Sequence, residues 1–533
     1  MLKRKWIAVL AAVLVIVPII ASACTPGGSK GGGGGTYIIG RGGDSVNLDL
    51  ATATDGESHR VGNAILDRLV GMEGTSTKII PWLAESWDSP DGKTWTFKIR
   101  EGVKFTDGTD CDAEAVKFNF DRWRDPNNEY RFGRVFEYYD TEFGETYAIV
   151  DTKAVDKYTF QMTLANPSAV VLYKLNIGSF GISSPKAIQE QGDKYGTPAG
   201  TVVGSGRFKF VEWVPDDKIV VERNDDWWGW GEGPSLDRVI WRSIPDNSAR
   251  LAELLAGTVH NADLAQTDMA TAEADPNIYS IVNPSMGSGY IAFQQCIEPF
   301  DDVKVRWAIA HAINRQALID TFYTDRDVLA TGFQPPAILG HNPDLPPIEY
   351  NPDKAKELLA EAGYPDGFQT EFWYIPVIRG YFPDSKALAE AIAVDLAKVG
   401  IEVELKTEDW GTYLDHRLQG LFPMWMLGWG SDNGDPDNYI GFHFAQQVPG
   451  QANPEDCYNS PELQDLLTQG AQEPDVALRE QYYQQAEQIV YDDMARLPVA
   501  FYAGQTFYRN EVKGVTPMVF RDQLELIHIE EGD

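Results

Sequence analysis

Alternating apolar and polar positions mark short strands in the first third of the chain. The run Thr36-Tyr37-Ile38-Ile39 opens the folded part, and a helical stretch follows around Val61 to Leu69. After Trp82 to Trp87 comes the turn Pro90-Asp91-Gly92, then Trp95, Phe97 and Ile99 on alternate positions. An Asp-Gly pair between two such runs predicts a hairpin. The turn Asp107-Gly108 leads into a predicted helix over Ala113 to Trp123, and Phe160, Met162 and Leu164 alternate as a further strand. The last third has the longer period of helices. Asn351-Pro352-Asp353 opens a helix with proline in its first turn, and Gly363 ends it. Strand-like Phe372-Trp373-Tyr374 precedes a helix with Leu388, Ile392 and Leu396 four residues apart. Gly400 stops that helix, and Ile401, Val403 and Leu405 alternate again. A strand-helix-strand unit of this kind predicts a right-handed crossover and a parallel pair. Ser460-Pro461-Glu462 starts another helix in the same manner.

At 533 residues the chain is too long for one ordinary core and is expected to form two or three lobes. Its formal net charge is −34, and the first 23 residues hold Lys3, Arg4 and Lys5 but no acid, so the remainder is more acidic still. Such a body is repelled by phosphate backbones, which excludes a nucleic-acid partner. The three basic residues precede the apolar run Ile7 to Ile20 and the small residues Ala21-Ser22-Ala23, which lead into Cys24. That layout is a secretory signal over residues 1–23. Cys24 after small residues resembles a bacterial lipobox, with Ala21 where such boxes carry Leu. Residues 24–35 then read as a lipidated cysteine and a Gly-rich flexible tether, holding the body to a membrane surface. With Cys24 acylated, Cys111, Cys296 and Cys457 remain. Three thiols allow at most one disulfide, and their spacing fits no zinc pattern, so they read as buried small hydrophobes.

No motif of an enzyme appears. Gly92-Lys93-Thr94 resembles the end of a phosphate loop, but Trp87 stands where its first glycine is needed. No Gly-x-Ser-x-Gly elbow stands between a predicted strand and a predicted helix. The seven histidines are scattered, and the acidic loop from Asp432 to Asn438 lacks the spacing and the distal glutamate of a calcium loop. No metal or cofactor is expected, and a secreted hydrolase is the poorer reading.

Several segments together resemble the family 5 extracellular solute-binding proteins, which include dipeptide- and oligopeptide-binding receptors. They are LAESWDSPDGKTWTFKIREGVKFTDGTDCDAEAVKFNFDRW (83–123), GSGRFKFVEW with IVVERNDDWWG (204–229), IPDNSARLAELLAGTVHNAD (244–263) and PFDDVKVRWAIAHAINRQALID (299–320), followed by IPVIRGYFPDSKALAEAIAVDLAKVGIEVELKTEDWGTYL (375–414) and MLGWGSDNGDPDNYIGFHF (426–444). The resemblance implies an α/β fold, the hinged two-lobe binding-protein fold in its three-domain variant. Domain I would comprise residues 36–80, 201–290 and 506–533, domain II 81–200, and domain III 291–505. It also implies a monomeric receptor that hands its ligand to an ABC permease and its ATPase. Two stretches, IPVIRGYFP (375–383) and GWGSDNGDPDN (428–438), lean toward peptides. In similar dipeptide receptors an Arg in the first holds the peptide carboxylate and an Asp in the second holds its amino group; the matching residues here are Arg379 and Asp432. A zwitterion in a dry cleft needs an opposite charge at each end, and Arg offers a planar fork to a carboxylate. The competing reading of Asp432 is a turn initiator. Trp429 and Trp410 are second candidates for stacking on peptide planes or sugars, so an oligosaccharide is the alternative ligand, with nickel chelates and haem also found in the family. Trp227-Trp228-Gly229-Trp230 reads as packing.

Overall fold

In the computed structural model, residues 34–530 are described, apart from 75, 145–146, 234, 378, 447–449 and 520–522. Cys24, the signal and most of the tether lie outside the described residues. Three large sheets each bury a core of their own.

The first sheet has seven strands in the order Ile278–Val282, Gln505–Arg509, Asn261–Ala262, Thr36–Arg41, Arg238–Ser243, Lys218–Arg223 and Phe208–Val214. Thr36–Arg41 runs parallel to both its neighbours, whereas the outer strands pair antiparallel. This sheet therefore joins the two ends of the chain. Tyr37, Ile39, Val239 and Trp241 fill its core, all but closed to water. The helix expected over Val61 to Leu69 instead spans Gly56–Ile65, because the Asp55 carboxylate accepts the Ser58 N–H and starts it earlier. Leu66 is buried but extended, and buried Leu69 lies in a bend that leads into the strand Val70–Met72.

The second sheet is antiparallel, in the order Ala84–Asp88, Thr94–Ile99, Thr159–Leu164 and Ile149–Asp156. Trp95, Phe97, Ile99, Phe160, Met162 and Leu164 point to one face and are buried there. The helix Ala113–Arg124 covers that face, with the Phe120 ring 4.7 Å from Phe160. Its first turn is capped by the Asp112 carboxylate.

The third sheet orders Val328–Leu329, Arg496–Tyr502, Gly287–Phe293, Met424–Gly430, Phe368–Trp373 and Ile401–Lys406. The predicted crossover is present: Phe368–Trp373 pairs parallel with Ile401–Lys406, and the helix Ser385–Ala397 between them buries Leu388, Ile392 and Leu396. Gly287–Phe293 is covered on both faces, so its residues do not alternate.

Two cysteines depart from their reading as isolated hydrophobes. Cys296 and Cys457 form a disulfide with Cα atoms 5.6 Å apart, while Cys111 is free and buried. The Gln295 N–H donates to the Asp456 carbonyl at 2.8 Å, so the backbone already holds the two segments side by side. The tryptophan cluster packs around one carboxylate. Asp67 accepts the indole N–H of Trp82 at 2.8 Å, of Trp228 at 3.2 Å and of Trp227 at 3.3 Å, and the Ser205 hydroxyl at 3.0 Å. Among the described residues no helix is long and apolar enough to cross a membrane.

Candidate functional site

The strand Met424–Gly430 runs out of the third sheet into a loop that bonds to itself. The Ser431 hydroxyl accepts the Gly434 N–H at 2.8 Å, Asn433 Oδ1 accepts the Asp435 N–H at 2.9 Å, and Asp435 Oδ1 accepts the Asp437 N–H at 2.8 Å. These three side chains make the turn without the Asp432 carboxyl, whose own bond within the loop is to the Asn438 side chain. Asn438 grips the loop from its far end. Its Oδ1 accepts the Asp432 N–H and its backbone carbonyl accepts Trp429 Nε1, both at 2.9 Å. Trp429 lies flat on Phe442, the rings 4.3 Å apart and 15° from parallel, and Phe442 leaves 53% of its surface open.

Facing this loop is the helix Glu137–Glu142 of the second sheet's lobe. A cleft of about 750 Å³ separates them, lined by Tyr138, Glu142 and Lys174 on one side and by Trp429, Asp432 and Phe442 on the other. Beyond Asp432 and Tyr138 it continues into smaller cavities beside His59 and Asn63, one of which reaches Ser431 and Tyr502. Water reaches the Asp432 carboxyl through the open side of the cleft, but protein from both lobes crowds it. That desolvation, together with the Glu142 carboxylate opposite, raises its pKa to about 6, against the pull of Asn438. Glu142 itself is held by Lys174 at 3.1 Å. Asp432 is thus a carboxylate at neutral pH, in a place that disfavours its charge.

Arg379 and Trp410 form a second pair and line none of these cavities. The Arg379 guanidinium lies 5.4 Å over the Trp410 ring, which stacks on Tyr413. Backbone bonds between Arg379 and Phe382 shape its turn, and its side chain hydrogen-bonds Tyr381. Tyr381 meets Tyr502 edge to face at 5.9 Å. The Tyr502 pKa is pushed up to about 12 by burial, by Tyr381 and by Asp432. The two tyrosines therefore stand between Arg379 and Asp432. Gly430 makes room for them, since a Cβ there would sit 2.9 Å from the Tyr502 hydroxyl. Reading the sequence missed Tyr502, Tyr138 and Glu142. Tyr502 ends an apolar strand without a motif, and Glu137–Glu142 is a short polar helix whose cleft role only the fold reveals. The acidic loop holds no cation cage, for Asp435 is taken by Arg479, and among the described residues no cluster could hold a metal.

This geometry, an open cleft between two lobes with a carboxylate aimed into it, is that of a receptor. Residues 78–450 match the bacterial extracellular solute-binding proteins, family 5, over the family's middle region. The dipeptide-binding protein of Escherichia coli is 34% identical over 465 residues, covering 84% of this chain and 86% of that one. Heme-binding protein A of Haemophilus influenzae is 34% identical, covering 86% of this chain and 85% of its own. The periplasmic binding protein DppA of Helicobacter pylori, associated with an ABC transporter and solved with the peptide STSA, superposes with a TM-score of 0.73. It is 32% identical and covers 94% of this chain and 99% of its own. The chain belongs to the family 5 extracellular solute-binding proteins, transport receptors with the two-lobe binding-protein fold.

Proposed function

We propose that this protein captures short peptides in the inter-lobe cleft and delivers them to the permease of an ABC importer, and that it does no chemistry on them. The observation that carries this reading is the Asp432 carboxyl, which the bonds of the turn do not use and which lines the cleft opposite Glu142. A free amino terminus is the cation that fits it. The carboxyl end of the peptide would lie toward Arg379, along Tyr502 and Tyr381. Trp429 and Trp410, the latter beneath Arg379, would flank the bound chain. The relatives named for dipeptides and for a bound peptide support the ligand class.

The lobes of this reading are residues 36–80, 201–290 and 506–533 for domain I, 81–200 for domain II and 291–505 for domain III. The ligand needs only to prefer the closed form, since its differential affinity sets the shift between open and closed populations. A monomer exported behind the signal and tethered through acylated Cys24 would work on the outer face of the cytoplasmic membrane.

Native mass spectrometry of protein purified from its source tests the ligand. Co-purified masses of two to several residues are expected. Haem would instead favour the chemistry of the heme-binding relative, and an oligosaccharide would favour stacking on the open Phe442–Trp429 face.

A further inference from the structure

Beneath the loop that carries Asp432 lies a buried arginine which ligand capture alone does not use. Arg479 stands in the first turn of the helix Val476–Asp492 and is 3% exposed. A cation at a helix N-terminus opposes the helix dipole, so something else must hold it there. That partner is Asp435: Nη1 donates to Oδ2 at 2.5 Å and Nη2 to Oδ1 at 2.6 Å, while Nε donates to the Gly470 carbonyl at 2.7 Å. A two-point grip fixes both the position and the plane of the carboxylate. Burial disfavours the charge of this guanidinium, but Asp435 beside it holds its pKa well above the ordinary value, so it stays charged.

Two chains of contact lead away from this pair. One runs within the loop. Asp435 caps the short turn Pro436–Asn438 through the Asp437 N–H, and Asn438 then holds Asp432 and Trp429. The other crosses the cleft. The Tyr173 ring, on the helix Val171–Leu175 that packs into the second sheet's core, lies 5.5 Å from the Arg479 guanidinium. Beside it the Ala169 N–H donates to the Ala471 carbonyl at 2.8 Å, and Met72, Val170, Tyr173 and Ala471 bury a small apolar patch.

We propose that Arg479 is a positioning residue that couples the two: by clamping Asp435 it sets the loop presenting Asp432, and by seating Tyr173 it makes that loop part of the contact between lobes. A ligand drawn to Asp432 then steadies the contact, and the contact steadies Asp432. The consequence for affinity rests on reading Asp432 as the partner of the ligand's ammonium; the coupling itself does not.

Tyr173→Leu tests the coupling without a ligand, because it changes only the opposite lobe and leaves the ion pair intact. Hydrogen exchange of the amides in residues 431–438 should quicken by about three- to thirtyfold, the range a partly desolvated cation–π contact supports. Exchange there at the wild-type rate would overturn the proposal. Arg479→Lys, which keeps the charge and loses the fork, tests the positioning. It should weaken a peptide with a free amino terminus by about tenfold or more and shrink its advantage over the N-acetylated form. A folded Arg479→Lys protein with the wild-type ratio would be bracing the structure only. Should Arg479→Lys fail to fold, Tyr173→Leu still decides. If wild type binds no peptide, the ligand reading falls while the exchange result stands.

Discussion

Asp432 carries opposite consequences for stability and for binding, and this separates a ligand group from a turn former. Its folded-state pKa, near 6, lies above the ordinary 3.8. A raised carboxyl contributes stability below its unfolded pKa and loses it as pH climbs through 6. At pH 7 to 8 the empty protein therefore bears an uncompensated charge, and Asp432→Asn should raise its melting temperature while the difference vanishes below pH 4. Had Asp432 been holding the turn, the same change would lower the melting point. Binding moves the other way. Losing one partner of a buried charge pair costs about 2–5 kcal/mol, or roughly 30-fold to a few thousand-fold in affinity. Titration calorimetry should show that loss for peptides with a free amino terminus and none for N-acetylated ones, and wild-type affinity should itself fall as pH drops below 6. Arg379→Ala should cost a free-acid peptide a similar factor and leave a C-amidated peptide unaffected; equal losses for both would place the carboxylate elsewhere.

At the scale of elements, a tight local constraint lies at the junction where the predicted crossover begins. Gly367 has φ +79°, and a Cβ on it would lie 1.9 Å from the Gly400 carbonyl oxygen at the start of the neighbouring strand. Gly367→Ala meets both a left-handed backbone penalty of about 1–2 kcal/mol and that clash. It should lower the melting temperature by several degrees without changing which peptides bind; an unchanged melting point would mean that the two strand ends can part freely. Elements such as this one were legible because their signals are local. The Asp91-Gly92 hairpin, the Asn351 and Ser460 caps and the four-residue spacing of Leu388, Ile392 and Leu396 depend on neighbours in sequence, and the structure has each of them. What stayed hidden depends on distant partners. The helix at Gly56–Ile65 begins earlier than its apolar pattern predicts because buried Leu66 and Leu69 continue that pattern beyond the helix end. Cys296 and Cys457 pair across 161 residues, and nothing near either one announces it. In the site, the charged motif of the loop could be read directly, whereas Tyr502 and Glu142 entered only once three sheets had folded toward one cleft.

A receptor working as proposed would stay near its permease and close on its ligand, and each demand makes a prediction. For the first, on the lipobox reading, Cys24→Ser removes the thiol that would be acylated, and the protein should leave the membrane fraction or remain unprocessed; normal cleavage with continued attachment would end that reading. Closure follows from where the charges lie. Without ligand, Asp432 on one lobe confronts Glu142 on the other across the same cleft, and bringing the lobes together presses two carboxylates into less water. An ammonium between them would turn that repulsion into attraction, giving the proposed ligand the differential affinity for the closed state that a population shift requires. The contacts that would guide the lobes, Ala169 to Ala471 and Tyr173 to Arg479, are already made at one edge, which leaves a swing about that edge as the least disruptive motion. Small-angle scattering should then show a smaller radius of gyration with a free-amino peptide than without. Lowering the pH of the empty protein below 6 should move it part of the way by protonating Asp432, and Glu142→Gln should do the same at neutral pH. A radius that ignores peptide, proton and Glu142→Gln alike would mean that the cleft takes its ligand without closing.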